Sequence, residues 1–209
     1  LFDIVLKAYI WIWTKLFYDK KQTDATALHA LNATINNGVK DFYLTQWHDD
    51  GAPCDYESNF LGLFDLSYPA LTNNGQMKEE VFKLIMGEEY QDYIDCAKMN
   101  ECTMMPLGLL WDDILNGIFL NNEVLINRDT MTSTLNTLNE VLALKEKSDL
   151  NVFTNKHCYV TLKALKYKLE CRMALLDAYN NTKDYTKVLE LADLSIKALY
   201  ELKNTFREM

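Results

Sequence analysis

The chain has 209 residues, 49% hydrophobic and 24% charged, with a formal net charge of −9. Such a composition excludes a disordered chain, and an acidic balance without a Lys/Arg cluster excludes a nucleic-acid-binding surface. With only 7 Gly and 3 Pro, helix is expected to dominate and long irregular loops to be few.

The first stretch, LFDIVLKAYIWIW, is apolar but interrupted by Asp3 and Lys7, and it is too short to span a bilayer. No membrane segment is expected. It opens in mid-pattern, as the cut edge of a longer protein would. Within it, Val5 to Trp13 forms a β-branched and aromatic run suited to a buried strand. After a polar loop, Thr23 or Asp24 is placed to cap a helix, with Leu28, Leu31 and Ile35 on one face. Asn37-Gly38 supplies a left-handed stop.

A second strand pattern follows in DFYLTQWHDDG, residues 41–51. Alternation points Phe42, Leu44 and Gln46 one way and Tyr43, Thr45 and Trp47 the other. Strand, helix and strand at this spacing predict a βαβ unit with parallel strands. In such folds ligands meet the C-terminal strand ends, where both Trp11-Ile12-Trp13-Thr14 and Trp47-His48-Asp49-Asp50 fall. An aromatic ring offers a floor to a sugar ring, and clustered carboxylates accept hydrogen bonds from its hydroxyls. The plainer alternative is an ordinary strand end, with Trp47 in a core and the aspartates solvated.

Beyond Tyr56 the pattern is helical. Helices are expected over Asn59–Leu71, Met77–Met86 (stopped by Gly87) and Glu88–Lys98, followed by an irregular stretch from Met99 to Asn127. Three long amphipathic helices then carry apolar stripes. The first is Met131, Leu135, Leu138 and Leu142. The second is Leu162, Leu165, Leu169, Met173 and Leu176. The third is Tyr185, Val188, Ala192, Ile196, Leu199 and Phe206. All three stripes are expected to be core of an antiparallel bundle.

The chemistry-bearing residues are sparse. Cys54, Cys96, Cys102, Cys158 and Cys171 form no CxxC pair, which argues against zinc; Cys96 and Cys102 are close enough in sequence to close a small loop. No nucleophile stands in a recognisable setting with His29, His48 or His157. Asp49 and Asp50 are adjacent, so they point in different directions and make a poor acid–base pair. No metal, no cofactor and no catalytic residue is expected within the chain.

Residues 5–125 resemble the family 20 glycoside hydrolases, in the branch of β-N-acetylhexosaminidases with a helical C-terminal domain. The family pattern is a W-x-W-T strand end, a helix closing in x-G-[IV]-K, and a strand ending in T-x-W-G-D-[DN]-G. Here these stand as Trp11-Ile12-Trp13-Thr14, Asn37-Gly38-Val39-Lys40 and Thr45-Gln46-Trp47-His48-Asp49-Asp50-Gly51. His48 replaces the usual glycine, and Pro53-Cys54 depart from the residues that follow the motif.

The resemblance implies a mainly α chain. Residues 1–56 would be the C-terminal portion of a (β/α)8 barrel, holding its last two β-strands and the helix between them. Residues 57–209 would be an all-α domain ending in a three-helix antiparallel bundle. It also implies an enzyme that releases terminal N-acetylglucosamine or N-acetylgalactosamine by a substrate-assisted retaining mechanism. The family's catalytic Asp–Glu pair lies on the fourth strand, upstream of this segment, so this chain alone is expected to be inactive. The implied roles are Trp47 as platform beneath the terminal sugar, Asp49 as acceptor from its distal hydroxyls, and Trp13 lining the acetamido or aglycone side. The implied partners are an N-acetylhexosamine-terminated oligosaccharide or glycoconjugate and the missing N-terminal barrel segment, with no nucleic acid and no membrane. A chain of this kind can also be a non-catalytic helical structural or interaction module, and that is the alternative.

Overall fold

The computed structural model describes residues 5–10, 15–47, 56–71, 77–111 and 127–207. The chain is mainly α, as expected. It divides into two compact units, Leu1–Ala97 and Lys98–Met209. The boundary expected at 56/57 rests on the family pattern rather than on compactness.

In the first unit, β1 (Val5–Ile10) and β2 (Asp41–Gln46) pair in parallel, in register from Val5 with Asp41 to Ile10 with Gln46. The βαβ reading therefore stands, although Trp11 to Trp13 lie outside the described residues. The crossover begins at α1 (Lys20–Thr23), capped by Asp19, whose carboxylate accepts from the Gln22 amide at 3.0 Å. Thr23 and Asp24 are thus not the cap; Asp19, four or five residues earlier, does that work. A π-helical segment (Asp24–Leu28) follows, then α2 (His29–Asn36). Gly38, at φ +64°, takes the left-handed conformation that ends the helix, as the sequence predicts. Leu31 is buried, but Ile35 at the frayed end of the same stripe is exposed.

Three further helices, α3 (Tyr56–Leu71), α4 (Lys78–Met86) and α5 (Tyr90–Ala97), complete the unit. The core joins Ala8 and Ile10 of β1 with Tyr18, Ala27, Leu31, Leu61, Leu66, Phe82 and Tyr93. Phe82 sits at its centre, edge-on to Phe64, Tyr90 and Tyr93 at centroid distances of 5.2, 5.3 and 5.1 Å. Edge-to-face rings of this kind add about 0.5–1.5 kcal/mol per pair beyond the area they bury. On α4 this leaves Leu84 and Ile85 outside, exposed.

Gly62 of α3 is where β1 and the crossover press closest. A β-carbon there would stand 2.6 Å from Tyr18 Cε2 and 2.8 Å from Ile10 Cγ2. Both neighbours are buried, so neither can swing away. Gly62→Ala is therefore expected to destabilise by about 1–3 kcal/mol, despite the better helix propensity of alanine. Denaturant unfolding measures it, and a variant more stable than the parent would refute the packing argument.

The second unit begins with a 3₁₀ turn (Lys98–Glu101) and α6 (Pro106–Trp111). Part of the stretch expected to be irregular is therefore helical: Pro106 starts a helix, where its missing N–H costs nothing, rather than interrupting one. Three long helices follow, α7 (Arg128–Lys145), α8 (Phe153–Asp177) and α9 (Thr186–Arg207), with a π turn (Ala178–Thr182) closing α8. Their side-chain pairs fix the directions. Lys145 donates to Asn155 at 2.8 Å while Arg128 grips Asp177, so α7 and α8 run antiparallel. Lys163 meets Glu201 at 2.7 Å and His157 packs edge-on to Phe206 at 4.5 Å, so α8 and α9 do too. The helix α8 is central, with Leu162, Leu165 and Leu169 fully buried.

One expected core stripe is not core. On α9 the buried residues are Leu191, Ser195, Ala198, Leu202 and Thr205. Tyr185, Ile196 and Phe206 of the predicted stripe are exposed, and Val188, Ala192 and Leu199 are only half-buried. The reason lies on α8, whose facing residues include Val160 and Ala164. Small side chains on both helices allow close approach, and close packing rewards fit over residue size.

Candidate functional site

The helices of the first unit cover one face of the β1–β2 pair. Ala8, Ile10, Phe42 and Leu44 point into them. The opposite face presents Lys7, Tyr9, Tyr43 and Trp47 to solvent. That alternation is the one predicted for β2, with Phe42 and Leu44 inward and Tyr43 and Trp47 on the other side.

Trp47 follows the last residue of β2, at the C-terminal edge of the pair. It is 46% exposed, so the reading that seats it in a core is set aside. Its ring meets Tyr9 of β1 edge-on, with centroids 5.7 Å apart and planes at 71°. The register explains the contact. Tyr9 stands opposite Thr45, so Trp47 is its diagonal neighbour on the same face, within reach of aromatic side chains. Below them the Thr45 hydroxyl donates to the Ala8 carbonyl at 3.3 Å, a further cross-strand tie. The tryptophan is thus held by an edge while a large part of its surface stays open. That arrangement suits a stacking platform.

Of the three residues expected to bind sugar, Trp47 is the one the described structure places. Asp49 and Trp13 lie outside the described residues, as do His48 and Asp50. Tyr9 escaped sequence reasoning. Its contact with Trp47 depends on strand register, which a strand pattern alone does not specify.

Among the described residues, the other histidines and cysteines are each accounted for by their own surroundings. His157 is buried, stacked on Phe153 at 5.7 Å and edge-on to Phe206, a histidine committed to packing. His29 bonds the Asp24 carbonyl at 3.0 Å within its own helical stretch. Cys96 and Cys102 are not joined by a disulfide, so the small loop that they could have closed is not closed. Burial pushes the Cys102 thiol up to about 12, far from a reactive thiolate. Among the described residues no group of His, Cys, Asp or Glu could hold a metal ion, and no helix is long and apolar enough to cross a membrane.

A second polar constellation lies behind the strands. The Asp65 carboxylate of α3, 4% exposed in its side chain, takes Lys20 at 2.7 Å and Lys78 at 2.5 Å. The Tyr90 hydroxyl donates to it at 2.8 Å, and Lys20 also reaches Asp24 at 2.7 Å. One buried acceptor thus ties together α1, α3, α4 and α5. Its partners occupy both carboxylate oxygens, which marks it as a structural clasp.

In the second unit, two cavities of about 500 and 600 Å³ flank the Arg128–Asp177 pair, and that pair lines both. Comparison with known proteins found no matching family model, no matching curated protein and no matching solved structure.

Proposed function

We propose that the chain is the C-terminal part of a β-N-acetylhexosaminidase of glycoside hydrolase family 20, and that it supplies the sugar platform of the active site. The observation that carries this reading is the Trp47 ring, half exposed at the C-terminal edge of a parallel strand pair and braced by Tyr9. The pair has helices on one face and an aromatic, uncovered second face. Parallel strands are ordinarily buried on both faces. Two neighbouring staves of a (β/α)8 barrel have this character, with helices outside and Tyr9, Tyr43 and Trp47 turned toward the barrel interior.

On this reading residues 1–56 are strands 7 and 8 with their helix, and residues 57–209 form the helical domain that ends in the three-helix bundle. Trp47 stacks beneath the terminal N-acetylhexosamine, Asp49 accepts from its distal hydroxyls, and Trp13 lines the acetamido or aglycone side. The substrate's own acetamido oxygen is the nucleophile. The acid and the residue that orients the acetamide come from the missing barrel segment, which is the chain's principal partner. His48, where the family has glycine, adds a side chain at the pocket rim.

Release of a chromogenic aglycone from an N-acetyl-β-glucosaminide tests the proposal. The protein carrying the complete barrel is expected to release it, and the 209-residue chain alone is expected not to. A complete protein without hydrolysis on any N-acetylhexosaminide would return the chain to the alternative, a helical interaction module.

A further inference from the structure

Tyr9 is a large ring left on the open face of the β1–β2 pair, 44% exposed and outside the core that Ala8 and Ile10 join. Among the described residues, its ring contact is the one with Trp47. Burial of its own surface therefore does not account for an aromatic residue at this position.

Trp47 has few other restraints. The backbone ladder ends at Ile10 with Gln46, one residue short of it. A half-exposed indole beyond the ladder samples several rotamers unless a neighbour limits it, and ordering it at each binding event weakens binding. The edge-on contact at 5.7 Å and 71° supplies that limit from the neighbouring strand.

Thr45 makes the contact possible. It stands opposite Tyr9 in the register, on the same face, and its hydroxyl is engaged with the Ala8 carbonyl at 3.3 Å. So short a side chain leaves the Tyr9 ring free to lean along the sheet toward its diagonal neighbour. A large ring at position 45 would take that space.

We infer that Tyr9 is a positioning residue for the proposed sugar site: it orients the Trp47 indole before substrate arrives, in the space that Thr45 leaves open. The inference rests on the reading of Trp47 as the sugar platform. Tyr9 acts on the sugar through Trp47 and by its ring, not by its hydroxyl.

Steady-state kinetics of the complete protein on a chromogenic N-acetyl-β-glucosaminide, across a mutant cycle, tests this. Tyr9→Leu is expected to lower kcat/KM about fivefold. The loss should appear in KM, because the cost of ordering the indole falls on binding and not on the chemical step. Tyr9→Phe keeps the ring and is expected to lose less than about twofold. With Trp47→Ala already in place, Tyr9→Leu is expected to change nothing further, since no indole is left to orient. A readout without substrate accompanies the kinetics. The tryptophan bands of the near-ultraviolet circular dichroism, taken as parent minus Trp47→Ala, should weaken when both proteins also carry Tyr9→Leu.

If Trp47→Ala loses activity and Tyr9→Leu does not, the positioning role is overturned and the platform stands. A further loss from Tyr9→Leu in the Trp47→Ala background, or a Tyr9→Phe variant as impaired as Tyr9→Leu, overturns the positioning role as well. If Trp47→Ala itself costs nothing, or the complete protein hydrolyses no N-acetylhexosaminide, the reading beneath falls and the positioning role falls with it.

Discussion

In the complete hexosaminidase proposed here, Trp47→Ala is expected to lower kcat/KM for an N-acetylhexosaminide by about 100-fold, equivalent to about 2.7 kcal/mol of transition-state stabilisation. The size follows from what the ring supplies. An exposed indole held edge-on by Tyr9 presents an apolar face without having to reorganise when sugar arrives. Truncation removes both the surface and its fixed orientation. Trp47→Phe keeps a smaller ring on the same face and is expected to lose less. Because Trp47 is outside the hydrophobic core, neither change should lower the unfolding midpoint appreciably. Activity of the alanine variant within about twofold of the parent, a difference of only about 0.4 kcal/mol, would refute the platform assignment.

The largest stability effect is expected at Asp65. Asp65→Asn keeps the shape of the side chain but leaves Lys20 and Lys78 converging without a buried counter-charge. Removing one partner from a buried ion pair ordinarily costs 3–5 kcal/mol; the lysines here keep some contact with water, so about 3 kcal/mol is expected. Asp24→Asn, which removes the more exposed partner of Lys20, should cost well under about 1 kcal/mol. Denaturant titrations of the two variants separate the cases, and equal losses would refute the view of Asp65 as a clasp.

The same cluster predicts the alkaline limit. Burial, and then the Asp65 charge, raise the Tyr90 hydroxyl above its usual range, and burial raises Tyr18. Lys20 is raised as well: burial opposes its charge, and the hydrogen bonds it donates to Asp24 and Asp65 outweigh that. Each group holds its proton more tightly when folded than when unfolded. Their stabilisation is therefore complete below about pH 10 and is lost as the pH climbs beyond it. Unfolding followed by tyrosine absorbance should begin there, and stability that rose above pH 10 would contradict the assignment.

The elements governed by local chemistry were legible in the sequence. Gly38 and Gly87 end their helices in the left-handed conformation because little else tolerates it, and the Phe42/Leu44 alternation identifies the buried face of β2. Trp47 was legible for the same reason, lying one residue past a strand whose end the polar turn marks. What escaped depends on neighbours distant in sequence. Asp19 caps α1 from a segment that reads as loop. The choice of the Leu191/Ala198 face of α9 over the larger Ile196 face was made by the small residues of α8. Tyr9 joins the site through strand register, and Asp65 finds Lys20, Lys78 and Tyr90 only once four helices are assembled.

The parallel pairing of β1 with β2 has a consequence for how the molecule is made. Val5 cannot meet Asp41 until the thirty-five residues between them have been synthesised and the crossover has closed, whereas α7, α8 and α9 each pack on the helix next in sequence. Non-local closure is slow and local helix pairing is fast. The later-made unit should therefore mature sooner than its place in the chain implies. Meanwhile β1, made before β2, waits with the edge that β2 will fill still unpaired, and that interval is when the pair is most exposed to aggregation.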